Sequence, residues 1–325
     1  MRVVITGGLG FIGVNLIKYL LSKKQIKNII VVDSFQNTDL KNISEITKFK
    51  YFENSKKYKK SNHKVVIVKA NVLNSKFAEI ITKKNDIIVH LAAESGVDIS
   101  ITKPKDSFKN NVVGAFNYLD AGRKNGIERF IFASSGAVFG NSKPPLTEKS
   151  FKGAISPYGS SKLTIESYCE TFSNVFDMKC TVLRFSNCYG KYSKHKTSVI
   201  SKFIKNINNQ KTSYIYGNGK QTRDFIYVDD LVEAIYKSFF DNNKFSDFNI
   251  STGIETSINS LIEIFNKVYK KNYREIYIKY LDERPGDMKK NYSIPKKITQ
   301  ILKWKPKTKL SDGIEKTVKW YISGK

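Results

Sequence analysis

Short apolar runs alternate with segments of helical period through the first 185 residues. Continuous, β-prone apolar runs predict buried strands, and apolar positions that recur every three or four residues predict helices. The predicted strands cover residues 2–6, 28–32, 65–69, 86–90, 129–133 and 179–185. One predicted helix follows the first strand and ends near residue 21, and two others span 104–124 and 157–176. Strands and helices in alternation predict an α/β fold with a parallel, doubly wound sheet.

The second half of the chain is less regular. Helices are predicted near residues 197–208, 230–241, 256–271 and 310–323, a short strand at 214–217 and a last strand of the sheet at 247–251. We therefore predict a sheet domain over residues 1–185, to which 223–255 return, and a smaller C-terminal α/β domain built mainly from 186–325. Residues 36–62 are polar and basic, and we interpret them as a partly helical insertion without chemistry.

A glycine-rich turn follows the first strand and opens the first helix. Glycines at 7, 10 and 13 allow a tight turn, close approach of the backbone to a pyrophosphate, and close packing of the helix on the strand. The second strand ends in Asp33, twenty residues after Gly13, where a carboxylate can hold ribose hydroxyls and repel a 2′-phosphate. This context predicts a Rossmann-type dinucleotide site that prefers NAD to NADP.

A second constellation lies between the fifth strand and the helix that follows it. Ser135 stands at the end of the strand, and Tyr158 and Lys162 are four residues apart just after Pro157, where a helix can start. That spacing places the phenol and the ammonium on one helix face. We expect the ammonium to lower the pKa of Tyr158, and the Ser135 hydroxyl to bond the phenol oxygen. Tyr158 would then be a general base with a pKa closer to working pH.

Composition restricts the compartment, the membrane association and the metal content that we expect of the protein. No apolar run reaches the roughly 18 residues of a membrane span, and the strand at residues 2–6 leaves no room for a signal peptide. The three cysteines have no metal or disulfide spacing, and there are only three histidines. We therefore expect a cytoplasmic protein, without a metal and without membrane insertion.

The formal net charge of +27 admits two interpretations. A basic surface can bind nucleic acid, but the excess is lysine spread along the whole chain, which indicates a compositional bias. Arginine is rarer, and its planar fork suits phosphate better than lysine does. We therefore expect no nucleic-acid partner, and keep a nucleic-acid-binding or non-catalytic dinucleotide-binding protein as an alternative.

Seven motifs in order give the chain a resemblance that covers nearly its whole length. They are TGGLGFIG at 6–13, HLAA at 90–93, SSGAVFG at 134–140, YGSSK at 158–162, RFSNCYG at 184–190, RDFIYVDD at 223–230 and RPGD at 284–287. The chain resembles the extended short-chain dehydrogenase/reductases, in their NAD-dependent nucleotide-sugar epimerase/dehydratase branch, and most of all the UDP-glucose 4-epimerases. The resemblance implies a UDP-sugar substrate, inversion at C4 through a transient 4-keto sugar, and a homodimer formed through the helices at 104–124 and 157–176.

The resemblance also implies roles for individual residues. Catalysis would rest on Ser135, Tyr158 and Lys162. The cofactor would contact Tyr158 and Lys162 together with Gly7, Gly10, Phe11, Ile12, Gly13, Asp33, Asn71, Val72, Leu91, Ala92, Ala93 and Asn111. The substrate would contact Ser135 and Tyr158 together with Asn187, Tyr216, Arg223, Arg284, Asp287 and Asn291.

Two departures from the family pattern refine the expectation. Gly136 and Ala137 stand where the dehydratases carry an acid and a base, so elimination of water is disfavoured against epimerisation, with a dehydratase or reductase as the alternative. Asn291 stands where a bulky tyrosine restricts some epimerases to unacetylated sugars. We therefore expect N-acetylhexosamines, as well as glucose or glucuronate derivatives, to be candidate substrates.

Overall fold

The computed structural model describes residues 1–270, 276–283 and 289–323. Its strands are β1 (Arg2–Thr6), β2 (Asn28–Asp33), β3 (Lys50–Phe52), β4 (Val65–Lys69), β5 (Ile87–His90), β6 (Arg129–Ser135), β7 (Cys180–Phe185), β8 (Asn187–Tyr189), β9 (Ser213–Tyr216), β10 (Thr222–Arg223), β11 (Phe225–Tyr227), β12 (Phe245–Ile250), β13 (Thr256–Ser257), β14 (Ile278–Leu281) and β15 (Lys290–Asn291). Its helices are α1 (Phe11–Leu21), α2 (Lys41–Ser44), α3 (Ser75–Ile81), α4 (Val97–Thr102), α5 (Pro104–Phe108), α6 (Gly114–Asn125), α7 (Pro157–Phe176), α8 (Val199–Asn208), α9 (Val228–Lys237), α10 (Ile258–Lys270), α11 (Lys296–Leu302) and α12 (Leu310–Ile322).

An eight-stranded parallel sheet forms the centre of the molecule, in the order β12-β7-β6-β5-β1-β2-β4-β3. Its inner strands are apolar and buried along almost their whole length, because helices cover both faces of the sheet. One apolar cluster lies under α1 and α9 and the other under α3, α6 and α7. The predicted fold class, a Rossmann-type doubly wound sheet with helices on both faces, is confirmed.

Sequence patterns alone placed several elements incorrectly. The basic insertion is not only partly helical, since its residues 50–52 form β3 and pair with β4 as the edge of the sheet. The single helix predicted at 104–124 is α5 and α6 joined by a π-helical turn at 109–113. Helices α3 and α11 were not predicted at all.

The C-terminal half has a core of its own. Helices α8, α10 and α12 bury a third apolar cluster with strands β8, β9 and β11. Strand β12 nevertheless pairs with β7 in the main sheet, and α9 packs on α1. We propose a boundary after Phe185, with 223–255 assigned largely to the sheet domain because these two elements extend it.

None of the helices within the described ranges combines the length and the apolar character needed to cross a bilayer.

Candidate active site

The glycine-rich turn brings β1 and α1 very close to the loop that follows β5. Gly7 has a φ of +66°, and a Cβ built on it would lie 2.8 Å from the backbone of Ala92. A Cβ on Gly13 would lie 2.5 Å from the backbone of Gly8, so the helix packs directly on the turn. The first amides of α1, at Phe11, Ile12 and Gly13, precede the intrahelical ladder and can receive a phosphate.

The carboxylate of Asp33 organises the same turn. It accepts hydrogen bonds from the backbone N–H of Leu9 at 3.0 Å, the N–H of Phe35 at 3.0 Å and the Thr38 hydroxyl at 2.9 Å. A carboxylate has about four acceptor positions, so one remains for a ribose hydroxyl. Thr38 was not predicted from the sequence, although its place five residues after a strand-end acid was a usable signal.

Three other predicted cofactor contacts have clear structural roles. The Asn71 side chain accepts from the N–H of Leu73 at 2.9 Å and so forms its own turn. Val72 is buried and packs on Gly114. Asn111 accepts from the N–H of Glu94 at 2.7 Å and donates to the Ser161 hydroxyl at 3.1 Å, which fixes the loop after β5 against α7.

The loop after β5 begins with Leu91, Ala92 and Ala93, all partly exposed at the carboxyl end of the strand. Leu91 donates its N–H to the carbonyl of Thr6 at 3.1 Å, so this loop is tied to the end of β1. His90, immediately before it, is packed: its Nδ1 lies 2.9 Å from the Thr6 hydroxyl, and burial lowers its pKa to about 3.

Ser135, Tyr158 and Lys162 come together at the carboxyl end of β6. The Ser156 hydroxyl caps α7 by accepting from the N–H of Gly159 at 3.1 Å, which starts the helix where Pro157 allows it. The Ser135 hydroxyl faces the Tyr158 phenol and lowers its pKa. Lys162 is 3% exposed, and its Nζ donates to the carbonyl of Ala133 at 2.8 Å.

One prediction about this trio was wrong. In the protein alone the pKa of Tyr158 is raised, because burial outweighs the Ser135 hydrogen bond that lowers it. The Lys162 ammonium lies 5.8 Å from the centre of the phenol ring and points to Ala133 instead. Burial lowers the pKa of Lys162 itself to about 7, so this buried amine is a weak electrostatic partner above neutral pH.

A cavity of about 400 Å³ opens in the C-terminal half, and three predicted substrate residues line it: Asn187, Tyr216 and Arg223. Arg223 is paired in register with Asn291 between β10 and β15. The Asn291 Oδ1 lies 3.7 Å from the position of a Cβ on Gly136, directly after Ser135. Asn291 thus lies next to Arg223, which lines the cavity, and near the carboxyl end of β6.

Two predicted substrate residues, Arg284 and Asp287, lie outside the described residues. Within the described part of the chain, no group of His, Cys, Asp and Glu side chains is arranged to hold a metal ion.

The family model for GDP-mannose 4,6 dehydratase matches residues 4–317, nearly the whole chain. The dTDP-D-glucose 4,6-dehydratase of Bos taurus is 30% identical over 329 residues, which cover 98% of this chain and 88% of that protein.

The chain belongs to the GDP-mannose 4,6 dehydratase family.

Two solved structures of this family's fold are similar over the full chain. The UDP-N-acetylglucosamine 4-epimerase from Methanobrevibacter ruminantium M1, in complex with UDP-N-acetylmuramic acid, has a TM-score of 0.87 at 30% identity and is covered to 99%. The UDP-glucuronic acid 4-epimerase from Bacillus cereus, in complex with UDP-glucuronic acid and NAD, has a TM-score of 0.85 at 26% identity and is covered to 100%. The chain is therefore an enzyme of the NAD-dependent sugar epimerase/dehydratase type, in the extended short-chain dehydrogenase/reductase family that the sequence motifs indicated.

Proposed function

We propose that this protein is an NAD-dependent epimerase that inverts C4 of a UDP-hexose. The observation that carries the proposal is that three segments, distant in the chain, lie along one edge of the sheet. They are the Ser135–Tyr158 pair at the end of β6, the glycine turn after β1, and the cavity lined by Asn187 and Arg223. Ligands of doubly wound sheets bind at this edge.

The residues present fit a dinucleotide. The close approach of Gly7 to Ala92 leaves a side-chain-free cradle beside the helix N-terminus, and the Asp33 carboxylate has an acceptor position for a ribose hydroxyl. Further contacts are proposed from Gly10, Phe11, Ile12, Gly13, Asn71, Val72, Leu91, Ala92, Ala93, Asn111, Tyr158 and Lys162. When bound, NAD supplies the oxidising and reducing capacity that inversion at C4 requires.

The side chains of the trio have separate tasks in this proposal. Tyr158 takes the proton of the sugar 4-hydroxyl and later returns it. The Ser135 hydroxyl, which lowers the pKa of the phenol, stabilises the tyrosinate. The protonated Lys162 side chain favours the same ionised form. Because its pKa is about 7, the charges around it decide how much of it is protonated near neutral pH.

A panel of UDP-sugars tests the proposal. The protein, supplied with NAD, is incubated separately with UDP-glucose, UDP-N-acetylglucosamine and UDP-glucuronate, and the products are identified by mass and by NMR. A product of unchanged mass and inverted C4 supports epimerisation. No conversion of any member of the panel would contradict it.

The alternative is a dehydratase, which the family model and the bovine relative favour. A side chain at position 136 would fit, since the nearest atoms to a Cβ there lie 3.7 and 4.0 Å away. This chain nevertheless has glycine at 136 and alanine at 137, and neither can move a proton. A product lighter by one water in the same panel would favour the dehydratase.

We expect the enzyme to accept N-acetylhexosamines, because the Asn291 side chain beside Gly136 is short. Substituting Asn291→Tyr is expected to reduce kcat/KM for UDP-N-acetylglucosamine by about tenfold to 100-fold, the effect of a bulky group in a filled pocket, with a smaller effect on UDP-glucose. Steady-state kinetics on both substrates measure the ratio. Tyr292→Phe serves as the matched control, and no turnover of the acetylated sugar by the unsubstituted enzyme would exclude the idea.

We propose a homodimer formed through the faces of α5, α6 and α7. Phe108 on α5 is 57% exposed, and Val175 and Phe176 on α7 are 65% and 46% exposed. Large exposed apolar side chains on neighbouring helices favour an interface there. Phe108→Glu is expected to shift the protein from dimer to monomer in sedimentation velocity. Ile254→Glu, at a residue equally exposed but outside these helices, is expected to leave the dimer intact. A monomeric unsubstituted protein would refute the proposal.

A further inference from the structure

A group of charged side chains is buried beside the catalytic helix. Glu166 on α7, Arg184 on β7 and Asp247 on β12 are 3%, 2% and 9% exposed. The Arg184 guanidinium donates to Glu166 at 2.8 and 3.0 Å and to Asp247 at 2.7 Å. Buried ion pairs contribute little net stability compared with apolar residues of the same size, so a network of this kind at this place calls for another explanation.

The position of Glu166 supplies one. Three consecutive residues at the end of β6 each face one side chain of α7. Ala133 accepts from Lys162 at 2.8 Å, and the Ser135 hydroxyl acts on the Tyr158 phenol, whose pKa it lowers. Between them, the Ser134 hydroxyl donates to Glu166 at 2.5 Å. Two of these three helix residues were assigned a role in the reaction, and Glu166 is the third.

Helix geometry places these three side chains of α7 on one face. Glu166 lies one turn after Lys162 on the same face of α7, and Lys162 lies one turn after Tyr158. Because Arg184 holds the carboxylate from β7, Glu166 is fixed with respect to both the strand and the helix.

We propose that Glu166 is a positioning residue for the reaction: it holds the carboxyl end of β6 through Ser134 and places a carboxylate one helical turn from the buried Lys162 amine, whose ammonium form it favours. This inference rests on the proposed function, since it assigns Lys162 the task of favouring the tyrosinate.

The charges that face these groups agree with the proposal. Lys162 is close to Tyr158, Glu166 and His90, and of these it is Glu166 that raises its pKa against the effect of burial. Glu166 itself faces Arg184, the Cys169 thiol on its own helix, and the Lys152 ammonium at 4.0 Å. Asp247 faces Arg184, Lys152 and Lys297.

Glu166→Gln removes the charge and keeps the shape. Loss of the nearby carboxylate is expected to lower the pKa of Lys162, so a smaller fraction of the enzyme carries the ammonium at and above neutral pH. A shift of one unit corresponds to a kcat about tenfold lower above pH 7, with the loss shrinking as the pH falls. A loss that is the same at every pH, or no loss, overturns the electrostatic role.

Two further variants separate position from charge and from folding. Asp247→Asn removes the other carboxylate from Arg184, and it is expected to reduce stability while leaving the shape of the pH profile unchanged. Ser134→Ala keeps the Glu166 charge and is expected to lower kcat by about tenfold at all pH values, the effect of one lost hydrogen bond to a charged group. An unchanged kcat in Ser134→Ala overturns the positioning role even if Glu166→Gln does not fold.

A measurement without substrate distinguishes this inference from the proposed function. Lys162 has a pKa of about 7 in the folded chain against 10.5 for the free side chain. Between these values the unfolded chain binds more protons, so stability rises with pH through this window and not below it. The urea midpoint is measured against pH for the enzyme and for Lys162→Met, and the difference between the two isolates the rise in stability that Lys162 causes. The onset of this rise is expected about one pH unit lower in the Glu166→Gln background. The same onset in both backgrounds overturns the inference, whereas an enzyme that converts no UDP-sugar refutes only the proposed function.

Discussion

Replacing Tyr158 by phenylalanine is expected to lower kcat by about 10³-fold, within the range that one general acid–base group contributes. Phenylalanine keeps the ring that packs at the start of α7 and removes the oxygen whose pKa the Ser135 hydroxyl lowers. Because Asn187, Tyr216 and Arg223 in the cavity are untouched, the Kd for a UDP-hexose should stay within a few-fold of the original. Product formation and isothermal titration calorimetry measure the two quantities separately.

Tyr168→Phe is the matched control for that experiment. Tyr168 lies on the same helix, is 41% exposed and contacts Phe116 edge to face, away from the catalytic trio. Its hydroxyl can be removed without loss of turnover if the phenol of Tyr158 is the specific requirement. An unchanged rate in Tyr158→Phe would remove that residue from the mechanism.

Gly7→Val is expected to produce the second large effect, a loss of both bound cofactor and stability. Valine at a φ of +66° is strained, and its Cβ would lie 2.8 Å from the backbone of Ala92. Left-handed strain and overpacking together destabilise by about 2–5 kcal/mol. Urea denaturation gives the stability, and the ratio of NAD to protein after purification gives the occupancy.

Gly10→Ala provides the comparison within the same turn. A Cβ on Gly10 meets only the carbonyl oxygen of Gly7, at 3.2 Å, and the backbone there has no positive φ. The alanine variant should therefore retain most of its stability. If Gly7→Val keeps its NAD and its urea midpoint, the close approach of the two loops is not what forms the dinucleotide cradle.

Most of the central sheet follows from the sequence because its strands are buried on both faces. Residues 3–5, 29–32 and 65–68 are continuous apolar runs, and such runs have few alternatives to a parallel strand covered by helices. β3 escaped prediction because only three residues pair at an edge of the sheet, where Lys50 is exposed and no apolar pattern is required.

In the candidate site too, some features are local sequence patterns and others join distant segments. The glycine turn and the pair of Tyr158 and Lys162 are local patterns, because a turn and a helix face are fixed by spacing alone. Asp33 and Ser135 were found because each ends a predicted strand. The pairing of Arg223 with Asn291, and the approach of Asn291 to Gly136, join segments that are far apart in the chain. No local pattern carries that information.

The electrostatics of the trio also depended on the tertiary structure. Spacing placed Tyr158 and Lys162 on one face, and from that we expected the ammonium to lower the phenol pKa. The folded chain buries both groups, so desolvation raises the pKa of Tyr158 and lowers that of Lys162. Burial is a property of everything packed around a side chain, and two residues on one helix do not reveal it.

The parallel sheet, the dinucleotide turn and the candidate catalytic residues could all be predicted before the fold was known, because they follow from short apolar runs, glycine spacing, strand ends and the period of one helix. What surrounds these residues could not be predicted in that way. Only the tertiary structure brought Glu166, Arg184 and Asp247 from three elements into one buried network beside Lys162. The physical reason is that hydrogen bonds, desolvation and ion pairing act through space, between residues that the order of the chain does not place together.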